Sequence, residues 1–218
     1  MNTLFDDTQL FTSGELRVKD FDIPDASLKL WEHFFSREES DHFYETLMRE
    51  TPWKQEEITV YDKTHLTPRM MVWFGKRRPG STSPELPLTP TLERIKEKIE
   101  ATTGIRFTSV LVNLYRDGKD GVGWHRDKDR ELGPKPVVAS VSFGETRPFE
   151  IRHKFNKAIE KIRIPLNHGS FLLMAGTMQH FWEHQVPKTA KPIRPRINLT
   201  FRVVLDNNQT LIAESNRD

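Results

Sequence analysis

The segment Arg196-Ile197-Asn198-Leu199-Thr200-Phe201-Arg202 alternates strictly between polar and apolar residues. Successive side chains of an extended strand project to opposite faces, so this segment predicts a strand with one apolar and one polar face. Two interpretations of the polar face are open. The more frequent is a half-exposed strand whose polar face meets solvent. The other is a binding site for a dicarboxylate, because guanidinium groups bind carboxylates through paired, charge-assisted hydrogen bonds.

A second segment, residues 108–115, has the same two-residue period. Its alternation places Asn113 and Tyr115 on one face and Val112 and Leu114 on the other. Asn113 and Tyr115 can complete a pocket that the arginine-bearing face begins. The remaining runs after residue 104 are short, β-rich, and separated by Gly, Pro and Asp clusters. This texture predicts an antiparallel β-sandwich or a closed jelly roll.

Two helices are expected before this β-rich half. The sequence Ser36-Arg37-Glu38-Glu39 is a capping box, which predicts a helix that runs to about residue 50. Thr89 and Pro90 predict the start of a second helix, which Gly104 ends. The expected fold class is α+β, mainly β with flanking helices. A chain of 218 residues fits one domain, which we place at residues 26–218 after an N-terminal arm of residues 1–25.

The composition restricts the possible chemistry. The sequence has no cysteine, which excludes disulfides and thiolate ligands, so a metal must be held by imidazole and carboxylate groups. The net charge of +2 is compatible with a polyanionic partner but is also common in proteins without one. The apolar runs are too short to cross a bilayer, and the N-terminus has no apolar signal segment. We therefore expect a cytoplasmic, monomeric protein without membrane contact.

The sequence His125-Arg126-Asp127 is a candidate metal site. Residues i and i+2 of a strand project to the same side, so its two end residues can chelate one ion. A third ligand, for which we favour His184, would complete a two-histidine, one-carboxylate triad on non-heme Fe(II). His168 and His180 compete for that place, and His180 with His184 can form a helical i, i+4 pair. A His-x-Asp sequence alone is common, and its Asp can simply orient the imidazole.

Five segments in register resemble the AlkB family of Fe(II)- and 2-oxoglutarate-dependent dioxygenases, above all its bacterial AlkB-like and double-strand DNA-repair branches. The resemblance covers residues 26–205 and is densest after residue 105. Any one segment would be a weak signal, whereas five in the same order are specific. The segments are Asn113-Leu114-Tyr115, residues 125–129 (HRDKD), 139–144 (ASVSFG), 184–187 (HQVP) and 195–202 (PRINLTFR).

The resemblance implies a double-stranded β-helix, with a catalytic jelly roll at about residues 105–205 and a nucleotide-recognition lid at about residues 51–87. It implies a catalytic Fe(II) bound by His125, Asp127 and His184, with 2-oxoglutarate and O₂ as cosubstrates. Arg196 would hold the distal carboxylate of 2-oxoglutarate. The full set of implied 2-oxoglutarate contacts is Asn113, Tyr115, Arg196, Asn198 and Arg202.

By the same resemblance, the partner is alkylated DNA, with RNA as an alternative. The implied reaction is oxidative demethylation of bases such as 1-methyladenine and 3-methylcytosine, which releases formaldehyde, succinate and CO₂ after the base has left the stack. Tyr61 aligns with an aromatic finger that displaces the base, although an ordinary strand aromatic fits equally well. The expected substrate contacts are Tyr61, Arg69, Phe74, Asp129 and Arg152.

Two segments depart from the family pattern. Residues 76–81 (KRRPGS) stand where close relatives carry a tyrosine-rich lid, and residues 188–191 (KTAK) stand where the double-strand repair homologue has a denser basic run. Basic residues at 76–78 and between 152 and 163 are candidates for phosphate contacts. Two alternatives stay open. One is the same catalytic core acting on RNA, protein or a small molecule, and the other is a non-catalytic β-barrel that binds nucleic acid.

Overall fold

The computed structural model describes residues 17–60, 63–77, 81 and 84–205. The N-terminal half contains β1 (Val18–Asp20), β2 (Ser27–Trp31), α1 (Arg37–Glu50), β3 (Glu57–Val60), β4 (Lys63–Leu66), β5 (Met70–Gly75) and α2 (Pro90–Thr103). The C-terminal half contains β6 (Ser109–Tyr115), β7 (Val122–His125), β8 (Val138–Gly144), β9 (Arg147–His153), β10 (Ile162–Leu166), β11 (Ser170–Ala175), α3 (Met178–Phe181), β12 (Trp182–Val186) and β13 (Arg196–Arg202). A 3-10 turn at Arg130–Leu132 precedes β8.

Two antiparallel sheets form the body of the protein. The major sheet has seven strands in the order β1-β2-β11-β8-β13-β6-β5, and the minor sheet has four in the order β10-β9-β12-β7. From β6 onward the chain crosses repeatedly between the two sheets, which is the connectivity of a jelly roll. The predicted mainly β, jelly-roll fold with helices near the N-terminus is therefore confirmed. A separate hairpin pairs β3 with β4.

β13 lies at the centre of the major sheet, paired with β6 on one side and β8 on the other. All seven of its residues are buried. Its apolar face, with Ile197, Leu199 and Phe201, belongs to the main hydrophobic core. Its polar face lines a cavity on the opposite side of the sheet. The predicted alternation is confirmed, and the interpretation that the polar face meets solvent is wrong.

The two predicted helices begin and end as their capping residues indicate. Ser36 Oγ accepts a hydrogen bond from Glu39 N at 3.1 Å, and Glu39 Oε2 accepts one from Ser36 N at 2.9 Å, so the capping box is complete. Thr89 caps α2, Pro90 occupies its first turn, and Gly104 ends it with φ of 71°. Both helices cover the outer face of the major sheet. Their core-facing residues are Phe43, Leu47, Leu92, Ile95 and Ile99.

The N-terminal segment is docked where the structure describes it. Val18 pairs with Trp31 at the edge of the major sheet, and Trp182 Nε1 donates to the Pro24 carbonyl oxygen at 2.9 Å. Within the predicted arm of residues 1–25, Val18 and Pro24 therefore contact the two sheets. Within the predicted lid segment, β5 pairs with β6 and is part of the major sheet. Among the described residues, no helix is both long and apolar enough to span a bilayer.

Candidate metal and cosubstrate site

Two imidazoles face each other across a pair of strands in the minor sheet. His125 ends β7, His184 lies in β12, and the antiparallel register pairs the two directly, with ring centroids 4.3 Å apart. Asp127 follows two residues later, and its Oδ2 lies 3.4 Å from His184 Nε2. The ligand atoms of the three residues all lie within 4.8 Å of one another. This spacing fits one metal ion held by a two-histidine, one-carboxylate set.

The turn before β7 is fixed against the segment that follows β12. A Cβ atom on Gly121 would lie 2.7 Å from the Val186 carbonyl oxygen, so only glycine allows this approach. The buried Arg147 donates from one NH2 group to the carbonyl oxygens of Asp120, at 2.9 Å, and Pro187, at 2.7 Å. These contacts tie together the two chain segments that carry the metal-ligand residues.

The two competing histidines have other partners. Nε2 of His168 contacts Asp41 Oδ1 at 3.1 Å, and its Nδ1 accepts from the Gly144 N–H at 2.8 Å. Nε2 of His180 donates to the Pro134 carbonyl oxygen. α3 also ends directly before β12, so the helical pairing of residues 180 and 184 does not occur. Neither His168 nor His180 joins the candidate metal site.

The electrostatics of the site match the protonation states that metal binding requires. Burial, together with the neighbouring imidazole of His184, lowers the pKa of His125 to about 4. Burial opposes the charged form of Asp127, but the Arg202 cation and the two imidazoles outweigh it and hold the pKa of this carboxyl well below its usual range. At neutral pH the site therefore presents a neutral His125 and an ionised carboxylate, which are the forms that bind metal ions.

The two imidazoles are oriented in different ways. Nδ1 of His125 donates to the Gly123 carbonyl oxygen at 2.8 Å, which directs its other nitrogen to the site. Nδ1 of His184 is buried and has no hydrogen-bond partner among the described residues. Instead, the Phe149 ring stacks on the His184 ring at 5.1 Å between centroids. Packing rather than an outer hydrogen bond therefore holds His184.

Arg196 is a buried cation with unused hydrogen-bonding capacity. Its side chain is 1% exposed, and its NH2 donates to Ser142 Oγ at 2.9 Å. Its Nε and NH1 have no partner among the described residues. Burial, followed by the nearby Arg147 cation, lowers the pKa of Arg196 to about 10, so the group stays charged at neutral pH. A buried guanidinium with two unpaired nitrogen donors is suited to binding a carboxylate.

Four polar side chains extend the same surface. Arg69 Nε donates to Asn113 Oδ1 at 2.9 Å. Asn198 Nδ2 donates to Ser140 Oγ at 2.8 Å. These bonds hold both amides beside the arginines. The structure thus brings all the predicted metal and 2-oxoglutarate residues to one cavity between the sheets: Asn113, Tyr115, His125, Asp127, His184, Arg196, Asn198 and Arg202.

The predicted substrate contact at Phe74 is wrong. Phe74 is 4% exposed and belongs to the main hydrophobic core, because it pairs with Val110, whose side chain is on the core face of β6. Trp73 pairs with Leu111, which lines the cavity, and the Arg202 guanidinium lies 5.5 Å from the Trp73 ring. The aromatic residue on the site-facing side of β5 is therefore Trp73.

The other predicted substrate residues do not all lie in the cavity. Arg69 lines the cavity, and Asp129 lies half-buried at the start of the 3-10 turn. Arg152 lies outside the cavity, where its Nε donates to Glu183 Oε2 at 2.9 Å and its guanidinium stacks 4.2 Å from the Trp124 ring. Tyr61 lies outside the described residues. The substrate roles of Arg69, Asp129 and Arg152 stay predictions.

Four residues near the site were not anticipated. Ser140 and Ser142 accept from Asn198 and Arg196, and their two-residue spacing within residues 138–144 was a usable signal. Phe149, which stacks on His184, and Gln179, which accepts from the Asp127 backbone, had no such signal in the sequence.

The fold is a jelly roll, and its cavity holds a His-x-Asp pair, a third, distant histidine and a buried arginine. Together these features define an Fe(II)- and 2-oxoglutarate-dependent oxygenase. Residues 27–202 match the family described as the 2OG-Fe(II) oxygenase superfamily, whose members use Fe(II), 2-oxoglutarate and O₂. The triad and the unpaired N–H groups of Arg196 fit that cofactor and cosubstrate. Within this superfamily, the chain belongs to the AlkB family, as its relatives show.

The chain is similar to alpha-ketoglutarate-dependent dioxygenase alkB homolog 3 from Bos taurus, with 41% identity over 78% of this chain and 64% of the relative. It is 37% identical to DNA oxidative demethylase ALKBH2 from Homo sapiens, over 78% of this chain and 71% of the relative. The chain thus spans less than two thirds of the length of the homolog 3 protein. A solved structure, OsALKBH1, shares the fold with a TM-score of 0.59 at 20% identity, covering 86% of this chain and 100% of that one.

Proposed function

We propose that this protein is an Fe(II)- and 2-oxoglutarate-dependent oxygenase that demethylates alkylated bases in DNA. The observation that carries the proposal is Arg196. It is a buried cation with two unpaired nitrogen donors, in the cavity that also holds the His125, Asp127 and His184 side chains. Such a group is stabilised by an anionic ligand. A dicarboxylate that reaches both the metal and Arg196 satisfies this requirement.

The chain's residues supply binding and orientation. His125, Asp127 and His184 would hold the metal, and Arg196 would bind the distal carboxylate of 2-oxoglutarate. When bound, Fe(II) with O₂ and 2-oxoglutarate supplies the oxidation of an N-methyl to an N-hydroxymethyl group, with release of succinate and CO₂. The hydroxymethyl group then leaves as formaldehyde. Arg196 itself is buried away from bulk water, which strengthens its charge interactions.

The basic loop between β9 and β10 supports a nucleic-acid substrate. Lys154 and Lys157 flank Phe155, whose ring is 63% exposed, and Lys154 Nζ lies 5.1 Å from that ring. Basic side chains around an exposed aromatic ring favour nucleic acid, because phosphates bind the cations and bases stack on the ring. The name of the relative described as a DNA oxidative demethylase supports DNA as the substrate.

We also propose that the protein acts as a monomer. Size-exclusion chromatography with light scattering measures that state, and a dimer would contradict it. We also propose a cytoplasmic location, which fluorescence microscopy of a tagged protein tests.

An oligonucleotide panel tests the proposed activity. The protein with Fe(II), 2-oxoglutarate and O₂ is incubated with DNA and RNA oligonucleotides that carry 1-methyladenine or 3-methylcytosine, and products are analysed by mass spectrometry. Loss of one methyl group from DNA, with matching succinate, is the expected result. Demethylation of RNA alone would move the substrate to RNA. Turnover of neither nucleic acid, with a protein that binds metal and 2-oxoglutarate, would contradict the nucleic-acid proposal.

A further inference from the structure

A short helical turn lies directly behind the metal-ligand residues. α3 leads into β12, which carries His184. Gln179 in this turn is fully buried, and its Oε1 accepts a hydrogen bond from the backbone N–H of Asp127 at 2.9 Å. Asp127 lies beyond the end of β7, so the strand pairing of the minor sheet does not fix its backbone. Gln179 therefore provides a hydrogen bond that the sheet cannot.

The Gln179 amide has one strong partner among the described residues. Its Nε2 lies 3.8 Å from Sδ of Met174, and a thioether is a weak acceptor. The same turn makes a second bond to the ligand segment, because Arg126 NH1 donates to the His180 carbonyl oxygen at 3.0 Å. α3 is thus joined to both residues that follow His125.

We propose that Gln179 is a positioning residue for the metal ligand Asp127. It fixes the Asp127 backbone while Arg202 holds Oδ1, and these two contacts direct Oδ2 towards Nε2 of His184, 3.4 Å away. Without Gln179, the Asp127 N–H is left buried without an acceptor, which favours rotation of the backbone and withdrawal of the carboxylate. The inference rests on the metal site of the proposed function and is independent of the substrate.

Cobalt binding to the metal-free protein tests this role. Gln179→Met keeps the size of the side chain and removes its acceptor. We expect Co(II), titrated and followed by visible absorption, to bind this variant about tenfold more weakly than wild type, the size of effect typical for outer contacts of metal ligands. Gln179→Glu keeps an acceptor oxygen at the same reach and is expected to bind Co(II) at least as tightly as wild type.

Thr177→Val is the matched control. It removes a hydrogen bond from the same turn, between Thr177 Oγ1 and the Asp25 carbonyl oxygen at 3.1 Å, and leaves the Asp127 contact intact. We expect wild-type Co(II) affinity in this control. A loss as large as that of Gln179→Met would overturn the specific role, because any weakening of the turn would then suffice.

Two further results decide the proposal. Wild-type Co(II) affinity in folded Gln179→Met, or a tenfold loss in Gln179→Glu, overturns it. If Gln179→Met does not fold, Gln179→Asn replaces it, because its amide is one methylene shorter and cannot reach Asp127 N; the same loss is expected, and no loss overturns the role. Wild-type protein that binds no Co(II) would instead contradict the metal site of the proposed function itself.

Discussion

Arg202 donates from NH2 to Oδ1 of Asp127 at 2.7 Å, and both side chains are buried. NH1 of the same guanidinium has no partner among the described residues, although Arg202 lines the cavity. One cation therefore contacts a predicted metal ligand and also has a free donor in the cavity that is proposed to bind the cosubstrate. Its positive charge is also the leading reason that the pKa of Asp127 lies below its usual range, against the opposing effect of burial. We therefore expect metal binding and cosubstrate binding to be coupled through Arg202.

Arg202→Met is expected to weaken metal binding by on the order of tenfold or more, because it removes the contact that orients the carboxylate. The pKa of Asp127 rises in this variant, since burial then acts without the opposing cation, so the loss is larger at lower pH. Co(II) titrations at two pH values measure both effects, with circular dichroism to verify folding. Arg106→Met, which removes an exposed arginine paired with Glu100 at 2.9 Å, serves as the control. Unchanged affinity in Arg202→Met would contradict the coupling.

Arg196 and Arg194 form a natural comparison, since they lie two residues apart and differ in environment. Arg196 is buried in the cavity, whereas the Arg194 side chain is 90% exposed and contacts Glu145 at 3.4 Å. Arg196→Met is expected to raise the KM for 2-oxoglutarate at least about thirtyfold, since a charge-assisted hydrogen bond to a buried group contributes about 2 kcal/mol. Arg194→Met is expected to leave it within a factor of about two. Succinate formation at varied 2-oxoglutarate gives the KM, and equal values for the two variants would remove Arg196 from the site.

The sequence correctly predicted which side chains face the core where the two faces of a strand differ in polarity. Residues 196–202 alternate between polar and apolar, so their two faces could be assigned before the fold was known, and the structure separates them in that way. β5 offers no such contrast, because Met70–Gly75 is apolar throughout. Its pattern could not distinguish the core-facing Phe74 from the site-facing Trp73, and only the pairing with β6 does so.

Other contacts are invisible in sequence because they depend on tertiary geometry. Gln179 and Asp127 are 52 residues apart and meet through a turn whose length was not predictable. For the same reason, the sequence left both His180 and His184 open as the third metal ligand. A helical period and a strand period were both compatible with the sequence, and the end of α3 before β12 decides between them. Polarity alone also could not show that the polar face of β13 is buried, since that depends on the minor sheet covering it.

We expect the ion pair of Asp120 to make the free energy of unfolding depend on pH. Its carboxylate is buried and pairs with Arg116 through Nε at 2.8 Å and NH2 at 2.9 Å. Burial raises its pKa, but the hydrogen bonds and charge of Arg116 outweigh this and lower it overall. A lowered native pKa means that the stabilisation is fully present above the unfolded-state pKa of about 3.9 and is lost as pH falls through the native value.

We therefore expect the free energy of unfolding of the wild type to fall more steeply below about pH 4 than that of Asp120→Asn. Urea unfolding at pH values between about 2.5 and 7 measures the difference. The exposed Asp22 supplies the control, because Asp22→Asn should reproduce the wild-type slope. Parallel curves for wild type and Asp120→Asn would show that the ion pair contributes nothing to acid sensitivity.

We expect a base of the proposed nucleic-acid substrate to stack on the Phe155 ring, outside the cavity. Its exposed ring is held in place by the Phe181 ring, with centroids 6.0 Å apart, and Phe181 in α3 follows the residue whose carbonyl oxygen binds Arg126. α3 thus contacts both the Phe155 ring and Arg126, which lies between His125 and Asp127 in the sequence. Phe155→Ala is expected to weaken binding of a single-stranded oligonucleotide at least about fivefold, because stacking of one base contributes about 1–3 kcal/mol.

Phe155→Tyr retains the ring and should bind as wild type. Val18→Ala, which truncates an exposed apolar residue of β1, should have no effect. Fluorescence anisotropy with a labelled oligonucleotide gives the affinities, and equal binding by Phe155→Ala and wild type would exclude the ring from substrate binding while leaving the cosubstrate site unaffected.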